Sequence, residues 1–177
     1  MSLKDPKTEM DSRFSSANAE PAAWSAARTQ LERSNMYWLT TVRPDGRPHV
    51  TPLFGVSLDG AVYFVTGPDE RKAKNLAKNA ACVITIGCNN ISGQDVIVEG
   101  NAERVRDEAR LRQLAAAWAA KYADAEGAGL GDDWRFGVRD ETFRGPGDTP
   151  GYVYEVRPRK AFGFAKGTTF SQTRWRF

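Results

Sequence analysis

Tyr37–Val42 is made of residues that favour a pleated surface, and a second run, His49–Leu58, has a two-residue period. That period places successive side chains on opposite faces of a sheet. In the second run Val50, Pro52, Phe54, Val56 and Leu58 fall on one face, and His49, Thr51, Leu53, Gly55 and Ser57 on the other. Pro44-Asp45-Gly46 and Asp59-Gly60 supply tight turns, and Ala61–Thr66 reads as a third strand. Pro52 has no N–H for a ladder, so its strand is expected at an edge or a bulge, with freed backbone able to face a ligand. Further strands are expected over Ala81–Cys88, Asp95–Val105, Tyr152–Val156 and Lys160–Phe164, the last two parted by Pro158. Small residues at Gly100 and Ala102 imply close approach by another layer or chain.

Three stretches carry a helical period instead. Trp24, Ala27 and Leu31 share a face between Pro21 and Ser34. A short helix follows Gly67-Pro68-Asp69, with Ala73, Leu76, Ala77 and Ala80 as its expected buried stripe. Asp107 can cap a helix running to Tyr122, whose apolar stripe is Leu111, Leu114, Ala115, Trp118 and Tyr122. The pattern as a whole is mainly β with a few helices, about seven strands, largely antiparallel. Residues 1–18 lack periodicity and are expected as a loose tail before a single domain over 19–177. Within that domain, 123–151 is rich in Gly and Asp and carries Trp134, Phe136 and Phe143, a composition that suits a lid or a partner contact.

Charge narrows the choice of ligand. The net charge of +3 over 177 residues suits a small anionic ligand and does not demand a nucleic acid. Aromatics interleave with Arg at the C-terminus, but no broad basic groove accompanies them. No apolar run approaches the ~18 residues of a membrane span, and no secretory leader pattern is visible. Cys82 and Cys88, on one strand, are too far apart to pair, and two free thiols fit a reducing cytosol, so a cytoplasmic protein is expected. His49 is the only histidine, and no Cys/His cluster has metal-ligand spacing. No glycine-rich phosphate loop precedes a helix. The start of the second helix stands out, with Glu70, Arg71, Lys72 and Lys74 in its first turn. Cations there oppose the helix dipole, an arrangement that makes sense around a bound phosphate. The competing reading is a solvated basic face made of Arg71, Lys74 and Lys78.

The segments YWLTTVRPDGRPHVTPLFGV, YFVTG followed by RKAKNL, and DVIVEGNAERV occur in an order and spacing that resemble the pyridoxamine 5′-phosphate oxidase-like superfamily. The resemblance covers roughly Trp24–Val105 and continues more weakly to Phe177. It implies a six- to seven-stranded antiparallel split β-barrel of the FMN-binding type. It also implies a homodimer with a cofactor at each subunit interface, FMN or the deazaflavin F420, and hydride transfer to or from a small planar substrate. By position, His49, Val50, Thr51 and Pro52 would line the ring and ribityl part. Val65 and Thr66 would lie beside the ribityl-phosphate, and Arg71 and Lys72 would grip the phosphate, with help from Lys74. Similar-looking sequences include F420 users, whose longer phosphate-bearing tail would suit extra cations such as Lys74, Arg174 and Arg176. Trp175 is expected to be buried or to stack on a planar ligand, and Trp38 and Trp134 are further candidates for the open ring face. Asp95 stands where the family often has Gln, and the chain ends in Thr-Arg-Trp-Arg-Phe rather than in the oxidase's basic segment, which argues against vitamer oxidation itself. The alternative is a non-catalytic flavin- or haem-binding module of the same fold, with His49 as the available haem ligand.

Overall fold

A computed structural model describes residues 5–87, 90–124 and 131–177. Its strands are β1 (Lys7–Met10), β2 (Tyr37–Val42), β3 (Pro48–Leu53), β4 (Gly55–Leu58), β5 (Ala61–Thr66), β6 (Ala81–Ile86), β7 (Gly93–Arg104), β8 (Gly137–Arg139), β9 (Thr142–Arg144), β10 (Pro150–Lys166) and β11 (Ser171–Arg176). Its α-helices are α1 (Trp24–Arg33), α2 (Arg71–Leu76) and α3 (Glu108–Trp118). Cys88 and 125–130 lie outside the described residues, so the expectations placed on them are not followed further.

The antiparallel pairings return to their starting point. β2 pairs with β3, and after a break at Phe54 the chain resumes as β4, which pairs with β5. β5 pairs with β10, β10 with β7, β7 with β6 and β6 with β2. A sheet that closes in this way has an inside and an outside. The inside holds Tyr37, Leu39, Leu53, Val62, Phe64, Ile84, Val96, Val98, Val156 and Trp175, with α1 contributing Ala27 and Leu31. Outside β4, β5 and β10 lies a second core of Val56, Tyr63 and Val153 with Leu111, Leu114 and Trp118 of α3 and Phe143 of β9. The alternation read along His49–Leu58 therefore holds. Leu53 points inward, while Phe54, Val56 and Leu58 meet the outer core. Further back on the outer face, Val50 is 53% exposed.

Asp107 caps α3 as expected, its carboxylate accepting from the Arg110 N–H at 2.7 Å. The helix then widens into a π-helical turn over Ala119–Ala123, which brings Tyr122 to the break between β3 and β4. There the Tyr122 hydroxyl donates to the Gly55 carbonyl at 2.6 Å. The close approach expected at Gly100 is also present: a Cβ there would sit 2.4 Å from the Arg157 carbonyl oxygen.

Four expectations are corrected. The tail expected over 1–18 includes β1, which pairs with β11 over Lys7–Met10, anchored by the ion pair of Glu9 with Arg174. The two strands parted by Pro158 are one strand, β10, because a register shift between Pro158 and Lys160 absorbs the residue that cannot donate. The first helix starts at Trp24 rather than at Pro21. In α2 the buried positions are Ala73, Asn75 and Leu76, while Ala77 is exposed.

Candidate functional site

β3 is the end of the strand order, and only β2 pairs with it among the described residues. Pro52 is thus on an edge strand, and the outer backbone edge of 48–53 is open to other hydrogen-bond partners. Register sets Thr41 opposite His49 and Leu39 opposite Thr51. His49 is half-buried, and its Nδ1 and the Thr51 hydroxyl are both buried without a protein partner.

Cations surround His49. Burial, then Arg43, Lys72 and Arg71, hold its imidazolium pKa below the ordinary 6.5, so the ring is neutral at pH 7. Arg43 ends the first strand of the hairpin, whereas Arg71 and Lys72 begin α2. Lys72, its side chain only 12% exposed, pairs with Glu70. Glu70 also accepts the Gly67 N–H at 2.7 Å. Burial pushes the Glu70 carboxyl up, but these donors prevail and hold it below its usual range. Arg71 is exposed and has no carboxylate partner among the described residues. Glu70 offsets only one of the three cations acting on His49, so a further anion here would be stabilised.

α2 is fixed from below by a buried contact. The Asn75 side-chain amide donates to Thr41 Oγ1 at 3.0 Å, and Thr41 Oγ1 reaches the His49 carbonyl at 3.4 Å.

Beside the cations opens a cavity of about 480 Å³. Val65, Thr66, Gly67, Glu70 and Lys72 form one end, and Phe54, Trp118, Trp134, Phe136 and Phe143 form the apolar remainder. A cavity of this size holds a small organic ligand.

The structure thus gathers most of the residues expected at a cofactor site. Arg71 and Lys72 begin α2 and act electrostatically on His49 near the start of β3, and Lys72 shares the cavity wall with Val65 and Thr66. Val50 and Pro52 sit on the exposed outer face. Lys74 is exposed, 3.9 Å from Asp69, and joins neither the cavity wall nor the cations acting on His49. Trp175 is a correction. It is wholly buried in the inner core, its indole N–H donating to the Ala22 carbonyl at 3.2 Å. Its ring packs 5.3 Å from Trp24, and an added Cβ at Gly163 would lie 2.5 Å from it. No face of Trp175 is left for a ligand. Arg43 and Asn75 were missed, as was the part of Phe54 and Trp118 in the cavity wall, which joins the Trp134, Phe136 and Phe143 that the sequence singled out. Arg43 reads as part of a turn, and only the pairing of β2 with β3 brings it to His49.

The residues fit the phosphate of a flavin-type cofactor. Arg71 has an uncommitted charge, Lys72 stands beside it, and the buried Nδ1 of His49 and hydroxyl of Thr51 await partners along an open strand edge. A phosphate dianion would balance the excess cations and accept from them.

The closed antiparallel sheet, broken at Phe54 and bearing this cationic corner, defines a split barrel. The chain belongs to the pyridoxamine 5′-phosphate oxidase family, whose model matches residues 23–162. Solved structures share the fold at low identity. A conserved hypothetical protein from Mycobacterium tuberculosis superposes with a TM-score of 0.65 at 18% identity, over 85% of this chain and 89% of the other. An F420 reductase gives 0.52 at 23% identity, over 76% and 94%. A heme binding protein from Mycobacterium smegmatis gives 0.60 at 19% identity, over 87% of this chain and 58% of its own length. No curated protein sequence matches significantly. Among the described residues no helix is long and apolar enough to cross a membrane, and no group of His, Cys, Asp and Glu could hold a metal.

Proposed function

We propose that the chain is an oxidoreductase that binds FMN or F420 and moves a hydride between the cofactor and a small planar substrate. The observation that carries this reading is the basic start of α2, where exposed Arg71 stands next to Lys72 of the cavity wall, alongside Val65 and Thr66 and within electrostatic reach of His49 on the edge strand β3. Arg71 and Lys72 would hold the phosphate, Thr66 and Val65 would flank the ribityl chain, and the backbone of 49–52 would meet the ring edge. When bound, the cofactor supplies the ring atom that accepts or donates hydride. The protein holds the phosphate, orients the ring and keeps water from one side. Nothing in this reading requires a covalent nucleophile, and His49, neutral at pH 7, can accept a hydrogen bond at one ring nitrogen and donate from the other.

A homodimer is part of the proposal. Trp38 and Val50, 48% and 53% exposed, stand on the outer face of β2 and β3, with Pro48 and Pro52 beside them. A second copy covering this face would bury them and wall in the cofactor from the far side.

One observation favours a second reading, haem binding without turnover. His49 is neutral, and its Nδ1 is buried without a protein partner. Titrating FMN, F420 and haem separately into the protein, then reducing the bound species anaerobically, separates the two. Tight FMN or F420 with reversible reduction supports the enzyme, and failure of both to bind removes it. Haem binding that His49→Ala abolishes would favour the second reading.

A further inference from the structure

We propose that the aromatic end of the cavity is a subsite for a neutral, planar aromatic molecule bearing a hydrogen-bond acceptor, with the Trp118 indole N–H as its donor. This names a substrate class for the proposed enzyme and rests on that reading for its redox role.

Shape comes first. Phe136 and Phe143 stack at 4.8 Å with an interplanar angle of 21°. Trp118 stands edge-on to Phe143 at 5.6 Å and 87°, and Trp134 edge-on to Phe136 at 6.0 Å and 90°. Phe54 meets Trp134 at 4.6 Å. Rings set at right angles line a slot, and a flat apolar molecule gains both stacking and edge contacts in it.

Polarity comes second. Trp118 is wholly buried, forms part of the cavity wall, and its Nε1–H has no acceptor among the described residues. Trp175, equally buried, gives its N–H to the Ala22 carbonyl. Buried indole donors normally find a partner, and a ligand carbonyl, nitro group or ring nitrogen would provide one.

Charge comes third. Among the described residues, the only ionisable groups in the wall are Glu70 and Lys72, and they pair with each other. The aromatic end therefore penalises a charged ligand and admits a neutral one. Lys72 belongs both to this wall and to the cations around His49, so the subsite adjoins the proposed phosphate grip and does not coincide with it.

The test uses two probes of closely matched shape, 2-acetylnaphthalene, which has a carbonyl acceptor, and the hydrocarbon 2-isopropenylnaphthalene, which has a CH2 in place of the carbonyl oxygen. Equilibrium dialysis against the full chain should show the ketone binding about 5- to 10-fold tighter, as one buried hydrogen bond predicts. Trp118→Phe should bring the ketone down to the level of the hydrocarbon. Trp134→Ala, at a half-buried position, should weaken both probes several-fold and keep the preference, which tests the slot even if the Trp118 variant folds poorly. Saturating FMN should not displace the ketone. Equal binding of the probes to the wild type, a preference that survives Trp118→Phe, or unchanged affinity in Trp134→Ala would each overturn the subsite. Displacement by FMN would overturn it too, by giving the cavity to the cofactor. A ketone preference that stands while FMN and F420 both fail to bind would retain the subsite and remove the redox reading alone.

Discussion

Asn75 of α2 donates to the Thr41 hydroxyl of β2 at 3.0 Å, and both side chains are wholly buried. Through Thr41 the contact reaches the His49 carbonyl, so one buried link sets the height of α2 over the strand pair that carries His49. Asn75→Ala removes the donor and leaves Thr41 in the core, at an expected cost of about 1–3 kcal/mol. Pairing Asn75→Leu with Thr41→Val removes both polar groups, together with the unpartnered Asn75 Oδ1, and should recover much of that loss. Urea denaturation of the two variants checks this. Equal destabilisation in both would show that the link contributes little.

Lys121 should matter for folding rather than for chemistry. Its ammonium donates to the Ser34 carbonyl at 2.5 Å, to the Gly55 carbonyl at 2.9 Å and to the Tyr37 hydroxyl at 3.2 Å. It thereby ties the end of α1, the start of β2 and the break between β3 and β4 to the π-helical turn. Lys121→Met leaves buried acceptors behind and should destabilise the protein by about 1–3 kcal/mol. Burial pushes the lysine pKa from 10.5 down to about 8. Between these values the unfolded chain holds the extra proton, so rising pH favours the folded state. The wild type should therefore gain stability over Lys121→Met as pH climbs through that window, while the gap stays flat below it. Denaturation curves of both proteins across the window read the effect.

His49 gives a second pH signature with its own window. Its folded pKa lies below 6.5, so above that value the ring is neutral in both states. As pH falls through 6.5 the unfolded chain takes up the proton first, and the folded protein loses stability. His49→Gln should flatten this acid-side slope. A bound phosphate would favour the imidazolium and shrink the slope in the wild type. An identical slope in wild type and variant would mean that neither burial nor the cations shift His49.

Cys82 should resist alkylation in the native protein. It is buried at 6% exposure, and burial pushes its thiol up to about 12. Mass spectrometry after iodoacetamide treatment should find it unmodified without denaturant and modified with it. Ready labelling of the native protein would mean that β6 opens.

Local pattern revealed the strands and turns of the first hairpin, the capped α3 and its stripe, and the basic start of α2. Each depends on neighbours within a few residues, which a sequence displays directly. Long-range pairing was hidden. The sequence leaves Trp175 either buried or stacked on a ligand, and only β11, lying between β10 and β1, packs it into the core over Gly163. Pro158 looks like a breaker because the bulge that absorbs it exists only opposite β7. At the site, Arg71 and Lys72 were legible from their place at a helix start. Arg43 was not, since 27 residues separate it from Arg71 and only the fold brings both to bear on His49. The stripe of α3 foretold that Trp118 is buried, but not that it borders a cavity with Phe54 and Phe143.

Calorimetric titration of FMN and F420 into wild type and into the Arg71→Ala/Lys72→Ala double variant tests the phosphate grip most directly. With charge-assisted contacts worth about 1.5–3 kcal/mol each, the double variant should bind the preferred cofactor at least about 100-fold more weakly while melting close to the wild type. Cofactor affinity that survives both substitutions would contradict the account.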